Sequence, residues 1–192
     1  RVVYDTMDEG YRKEVMMMTD FTEKTIRSQS IFKGKIIELC VDEVELPNGK
    51  LATRELIKHP GAVAVIAVTD EGKLVLVKQF RKPLERALFE IPAGKLDPGE
   101  DPKACALREL KEETGYTCRD IEHVVSFATS PGFADEVLHI YYTDTLISGE
   151  RHLDEDEFLD NYEVTLEEAL KLMKTEAIFD AKTVFAVQFL QM

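Results

Sequence analysis

The sequence predicts a domain that mixes strands with helices, α/β or α+β in class, and three observations carry that prediction. Asn48-Gly49 stands between two β-type runs, a strong hairpin signal. The run GAVAVIAV, residues 61–68, is nearly continuous in apolar residues, as a central strand buried on both faces should be. A helical pattern is bracketed by Asp101-Pro102 and Gly115, which suit an N-cap, a first helical position and a left-handed C-terminal cap.

Residues 1–17 (RVVYDTMDEGYRKEVMM) show no hydrophobic period and are read as a non-native or disordered leader, with Met18 the more natural start. Residues 31–57 read as a hairpin, with IIELCVDEVEL and LATRELI flanking Pro47-Asn48-Gly49-Lys50. A second strand pair follows, GAVAVIAV and KLVLVKQF, joined by Thr69-Asp70-Glu71-Gly72. In the helix, Ala104, Leu107 and Leu110 supply an apolar stripe, and about thirteen residues would span roughly 20 Å. Strands are predicted at 123–128 and 136–143, and helices at 165–175 and 180–190. The chain then divides into an N-terminal hairpin region, 18–58, and a main domain, 59–192.

The 192 residues suffice for one domain with a real core, and no apolar run is long enough to span a membrane or to form a signal peptide. Cys40, Cys105 and Cys118 are odd in number and lack CxxC spacing, which points away from disulfides and zinc and towards the cytoplasm. Cys105 falls within the helical pattern and reads as a small buried residue. With 37 Asp and Glu against 24 Lys and Arg, the net charge of −13 argues against a nucleic-acid partner. An acidic protein can still take a polyanionic substrate when metal ions lie between the two. The four histidines show no ligand spacing.

The chemistry concentrates in residues 94–116, GKLDPGEDPKACALRELKEETGY. Glu109, Glu112 and Glu113 fall at i, i+3 and i+4, so their carboxylates share one helix face. Like charges at that spacing cost a few tenths of a kcal/mol per pair. Arg108 can pair with Glu112, but one cation cannot neutralise three anions. Glu100 joins the group if its loop folds back. This pattern fits either a solvated acidic face or a site for a hard cation such as magnesium, which prefers carboxylate oxygens and bridges protein to phosphate.

The stretch resembles the Nudix box, G-x5-E-x7-R-E-U-x-E-E-x-G-U with U a bulky apolar residue. Gly94, Glu100, Arg108, Glu109, Leu110, Glu112, Glu113, Gly115 and Tyr116 match all nine specified positions. The resemblance implies an α/β Nudix fold, a mixed β-sheet sandwiched between helices, with an N-terminal antiparallel sheet used for dimerisation. It implies two or three Mg2+ ions, or Mn2+, ligated by Glu109, Glu112 and Glu113. Arg108 would orient these carboxylates, and Glu100 would act as a direct or supporting ligand. The Ala93 carbonyl resembles a backbone ligand of the ADP-ribose-hydrolysing branch.

Pro131, sixteen residues beyond Gly115 in SFATSPGFADE, resembles the hallmark proline of the ADP-ribose pyrophosphatase branch, and the similarity, closest to the bacillus-type enzymes, runs from about residue 22 to the C-terminus. By that similarity Arg81 would contact the pyrophosphate or ribose phosphate and Glu90 would sit beside the metal site. A surface ion pair between Arg81 and Glu85 is the competing reading. Arg54, Glu55 and Phe32 would contact adenine across a homodimer whose N-terminal strands exchange. Otherwise Arg54 and Glu55 are outward-facing strand residues and Phe32 is core. The acidic loop 149–160 would supply the general base, Glu155 or else Glu157, with Glu113 and Arg108 completing the catalytic group. It is not an EF-hand, since Leu159 stands where glycine is needed. The implied activity is magnesium-dependent hydrolysis of ADP-ribose to AMP and ribose 5-phosphate. The alternatives are a Nudix hydrolase of another nucleoside diphosphate sugar or a nucleoside triphosphate, and a non-catalytic ADP-ribose-binding module.

Overall fold

The computed structural model describes residues 20–151 and 158–192. They form two compact units, one comprising the chain up to Gly34 together with Glu38–Ile57, the other Lys35–Ile37 together with Lys58–Met192.

The first unit holds a three-stranded sheet in the order β1-β2-β3, from β1 (Lys24–Lys33), β2 (Glu38–Glu45) and β3 (Leu51–Lys58). β2 and β3 are the predicted hairpin. Its turn closes with Gly49 N donating to Leu46 O at 2.8 Å, and Gly49 takes a φ of 78°, a conformation that favours glycine. β1 lies outside the predicted hairpin apart from its last residues. All ten of its residues are exposed, so it carries no inward-facing apolar period to betray a strand.

The second unit is built on a mixed sheet of β4 (Ala62–Ala67), β7 (Ala93–Lys95), β9 (Glu122–Ala128) and β10 (Val137–Thr143), ordered β7-β4-β10-β9. β4 runs parallel to β10 and antiparallel to β7. Alternate residues of β4 enter two cores. Val63, Val65 and Ala67 pack with Cys105, Ala106 and Leu110 of α1 (Pro102–Thr114). Ala64 and Ile66 pack with Ala169 of α2 (Leu166–Lys174) and Ala186 and Val187 of α3 (Ala181–Phe189). Burial on both faces explains the unbroken apolar run. Each fully buried Val, Ile or Leu there stabilises by about 1.5–3 kcal/mol relative to exposure.

The predicted pairing of GAVAVIAV with KLVLVKQF is corrected. The second run forms β5 (Leu74–Arg81), which lies in another sheet, ordered β12-β5-β6, with β6 (Arg86–Glu90) and β12 (Leu159–Val164). Both edges of β4 are taken by β7 and β10, so only one bridge, Val68 to Leu74, links the two runs beside the turn. Two short strands, β8 (Thr117–Cys118) and β11 (Leu146–Ile147), complete the described pairings.

The helical predictions at 101–115, 165–175 and 180–190 coincide with α1, α2 and α3. Their N-caps are Asp101, Thr165 and Asp180, each accepting from a backbone N–H of its first turn. The proposed stripe of α1 is corrected, because Ala104 is exposed and Leu107 is 37% exposed. The buried face instead holds Cys105, Ala106, Glu109, Leu110, Glu113 and Thr114. Turning Leu110 into the core carries Glu109 and Glu113 inward with it, and Leu107 then points outward. No helix among the described residues is long and apolar enough to cross a membrane.

Candidate active site

The helix α1 begins and ends as its sequence dictates. Asp101 Oδ1 accepts from Ala104 N at 3.0 Å, and Gly115 closes the last turn at φ 77°. Between these caps Glu109 is 9% and Glu113 3% exposed, an unusual burial for carboxylates. Glu113 Oε2 accepts a hydrogen bond from Ala93 N at 3.0 Å, fixing the helix to β7. The next residue, Gly94, serves close approach: a Cβ there would lie 1.8 Å from Glu109 Cδ. The bare backbone of Gly94 is therefore the cradle in which the Glu109 carboxylate rests.

Arg108 gathers the acids. Its Nε and Nη2 meet Glu100 Oε1 and Oε2, both at 2.9 Å, while Nη1 meets Glu109 Oε1 at 2.8 Å and Glu112 Oε2 at 2.9 Å. The fork thus holds three carboxylates at once, where the helical spacing alone showed only the partner Glu112. Arg108, helped by the backbone N–H of Asp97, holds the Glu100 carboxyl down to about 2. The guanidinium pKa is itself raised, chiefly by Glu100. Cys105 lies 3.3 Å from Arg108 Nη2, and burial pushes its thiol up to about 12, so it stays protonated and inert.

Gln79, Arg81, Ala93, Gly94, Lys95, Asp97, Arg108, Glu109, Glu112 and Glu113 line one cavity of about 400 Å3. Among the described residues no three Asp, Glu, His or Cys side chains stand in a ready ligand set. Arg108 engages one oxygen each of Glu109 and Glu112, so the second oxygen of each carboxylate is not taken by the guanidinium. The donors nonetheless suit a hard divalent ion: carboxylate oxygens in a polar cleft, one of them seated in a glycine cradle.

A second cavity of about 540 Å3 shares Arg81, Ala93, Gly94 and Lys95 with the first. Arg81 does not pair with Glu85, which meets Lys82 at 2.5 Å instead. It pairs with Glu90 through Nε and Nη2, each at 2.6 Å. Glu90 is 1% exposed and lines neither of these two cavities, so it stands behind Arg81. His59, Thr129, Ser130 and Glu136 also line this second cavity. Asp135 Oδ1 accepts from His59 N at 2.8 Å, and Glu136 lies 3.4 Å from His59 Nδ1 and also binds Thr129 Oγ1. These contacts fasten the Pro131 loop. Pro131 itself is exposed and lines neither cavity, while its neighbour Ser130 lines the larger one.

Of the remaining predicted residues, Arg54 pairs with Glu23 at 2.7 and 2.5 Å, and Glu55 is exposed. Phe32, 57% exposed, is not core. Glu155 and Glu157 lie outside the described residues. The segments on either side are tied to the end of α1: Asn161 Nδ2 donates to Thr114 O at 3.0 Å, and a Cβ on Gly149 would lie 2.9 Å from Gly115 O. Sequence reasoning missed Lys95, His59, Glu136, Asp180 and Lys182, all of which line the larger cavity.

The NUDIX domain model matches residues 58–187, and a nucleoside diphosphate sugar hydrolase N-terminal domain model matches residues 23–57. The chain is 58% identical over 177 residues to an ADP-ribose pyrophosphatase of Bacillus subtilis (strain 168), covering 91% of this chain and 96% of that protein. It is also 58% identical over 174 residues to a methanol dehydrogenase activator of Bacillus methanolicus, covering 90% and 94%. The crystal structure of an ADP compounds hydrolase superposes with a TM-score of 0.77 at 22% identity, covering 88% of this chain and 91% of that one, which is a likeness of fold. With its full box, its acidic cleft and a domain match over more than half its length, the chain belongs to the Nudix hydrolase family.

Proposed function

We propose that this Nudix hydrolase cleaves ADP-ribose to AMP and ribose 5-phosphate with Mg2+ as its cofactor. The observation that carries the reading is the junction of two cavities at Arg81: an acidic one suited to a cation and a larger one with room for the rest of a nucleotide sugar. The near full-length likeness to the Bacillus subtilis pyrophosphatase supports the same substrate.

Glu109, Glu112 and Glu113, with the Ala93 carbonyl, would hold two or three Mg2+ ions, with Mn2+ an acceptable substitute and Glu100 a supporting group. Bound there, such ions neutralise the diphosphate and make an attacking water more acidic. Arg108 orients the carboxylates. Glu90 takes two N–H groups of the Arg81 fork, leaving the others for a phosphate oxygen. Glu155, or else Glu157, takes the proton of the attacking water. Attack falls in line on the adenosine-side phosphorus.

Phosphorus NMR of the products formed in oxygen-18 water tests both substrate and regiochemistry. ADP-ribose should outcompete GDP-mannose and nucleoside triphosphates, with the heavy oxygen in AMP. Preference for a triphosphate, or ADP-ribose binding without products, would reject the reading. The equal likeness to the methanol dehydrogenase activator favours a second reading, in which the chain raises the rate of a dehydrogenase. That reading is lost if adding the chain leaves methanol oxidation unchanged.

The chain acts in the cytoplasm as a homodimer with exchanged N-terminal strands, on this proposal, with 18–58 as the dimerising region, 59–192 as the hydrolase domain and 1–17 as the leader. Support comes from β1, exposed along its whole length with Ile26, Ile31 and Phe32 open to solvent, and from Phe21, exposed just before it. Across that dimer Arg54, Glu55 and Phe32 would meet adenine, and Pro131 would shape the substrate loop. Sedimentation at micromolar concentration should give twice the 21.8 kDa chain mass, and a monomer would refute the assembly.

A further inference from the structure

Arg81 reaches both cavities from a position set by Glu90, and Glu90 is more deeply buried than a carboxylate with one partner would ordinarily be. Its second cation comes from far along the chain. Lys182, in the first turn of α3, binds Glu90 Oε2 with its Nζ, and the same nitrogen lies 2.8 Å from Asp180 Oδ1. Asp180 is also the N-cap of α3, accepting from Thr183 N at 3.2 Å. Thr183 Oγ1 accepts from Ile91 N at 3.0 Å, which stitches the start of α3 to the residue following Glu90.

We infer that Lys182 is a positioning residue: by sharing the charge of Glu90 it leaves Arg81 able to give its remaining N–H groups to substrate phosphate. The inference rests on the diphosphate reading above. Glu90 faces two demands. It must stay ionised to hold the guanidinium in place, yet a lone carboxylate bonded to Arg81 would compensate the arginine charge that the phosphate needs. A second cation meets both demands. Burial would push the Glu90 carboxyl up, but Arg81 and Lys182 together hold it below the ordinary glutamate value. Lys182 is itself well enclosed, 12% exposed, and Asp180 balances its charge. The four groups form an alternating row, Arg81, Glu90, Lys182 and Asp180, with only its arginine end reaching the acidic cavity.

The test is steady-state kinetics on Lys182→Met and Lys182→Arg with ADP-ribose and saturating magnesium, alongside thermal melting. Lys182→Met should raise KM about tenfold, the value of one charged hydrogen bond, with kcat within about threefold. Lys182→Arg should restore most of that loss. If Lys182 acts through Glu90, then in a Glu90→Gln background Lys182→Met adds no further rise in KM, whereas additive losses overturn the inference. An unchanged KM in folded Lys182→Met overturns it as well. Should Lys182→Met fail to fold, Lys182→Gln keeps a hydrogen-bond donor and carries the same expectation. Calorimetry with inorganic pyrophosphate and magnesium separates this idea from the functional reading. If the wild type leaves ADP-ribose intact, that reading fails, and equal pyrophosphate affinity in wild type and Lys182→Met sinks the positioning role independently.

Discussion

Glu113→Gln should lower turnover of ADP-ribose on the order of a thousandfold, the scale seen when a group that stabilises transition-state charge is removed. The protein should remain folded. Glutamine has the same shape and keeps a carbonyl oxygen, so the hydrogen bond from Ala93 N to this 3% exposed side chain can persist. What disappears is one negative charge from a cleft in which two further helical acids, Glu109 and Glu112, sit within about one turn. Without magnesium the substitution relieves repulsion, so the melting temperature should hold or rise slightly. With magnesium the wild type should gain stability through binding, and the variant should gain much less. Two measurements therefore read the same carboxylate: kcat/KM, and the magnesium-induced shift in melting temperature. Near-normal turnover together with an undiminished shift would remove Glu113 from the cation site.

The helix that carries this site was legible because each of its ends is a local event. Asp101, Pro102 and Gly115 act within one turn of where they stand, and the nine matched positions of the box fall within the single short stretch 94–116. β6 and β7 were not legible. RALFE and AGK are too short and too mixed to show a period, and they become strands only because β5 and β4 offer them edges. The false pairing of β4 with β5 has the same origin. A tight turn between two apolar runs announces that the chain reverses, but not which edges the reversed strands will use. β12, with the sequence LDNYEV, hides for another reason: its middle residues are exposed, so it lacks the inward apolar alternation of a half-buried strand.

The site divides along the same line between local and distant. Arg108 and Glu112 could be paired from helical spacing, but the bidentate contact to Glu100 depends on how the loop before Asp101 folds back. Arg81 offered Glu85 as a neighbour in sequence, yet chose Glu90 because the antiparallel pairing of β5 with β6 brings the two strands together. Lys182 reaches Glu90 across 92 residues, a partnership no spacing rule can anticipate. The metal-type acids were therefore readable one by one. Of the cations that hold the site in shape, Arg108 and Arg81 were named from the sequence but Lys182 was not, since the partners of such groups are assigned by the tertiary fold.

Gly94→Ala should abolish most activity while sparing most of the fold, and the reason is where the added methyl would go. It would stand 1.8 Å from Cδ, 1.9 Å from Oε1 and 2.3 Å from Oε2 of Glu109, with no backbone atom among its three nearest neighbours. A flexible side-chain end can give way where backbone cannot, so the helix need not move. The carboxylate must. Displacing it also breaks the 2.8 Å bond from Arg108 Nη1 to Glu109 Oε1 and pushes a nearly buried anion into a new place. Overpacking of this kind costs about 1–3 kcal/mol, a fall of several degrees in melting temperature for a chain of this size. Activity should fall on the order of a hundredfold or more, since even disturbing the partners of a metal ligand costs up to about that much. Glu109→Asp on top of Gly94→Ala shortens the reach by one methylene and makes room for the methyl. The double variant should therefore recover part of the lost stability and turnover relative to Gly94→Ala alone. Full activity in Gly94→Ala, measured with magnesium at several concentrations, would mean that the position of the Glu109 carboxylate does not matter to the reaction. The glycine of the box would then be serving the backbone and not the ion.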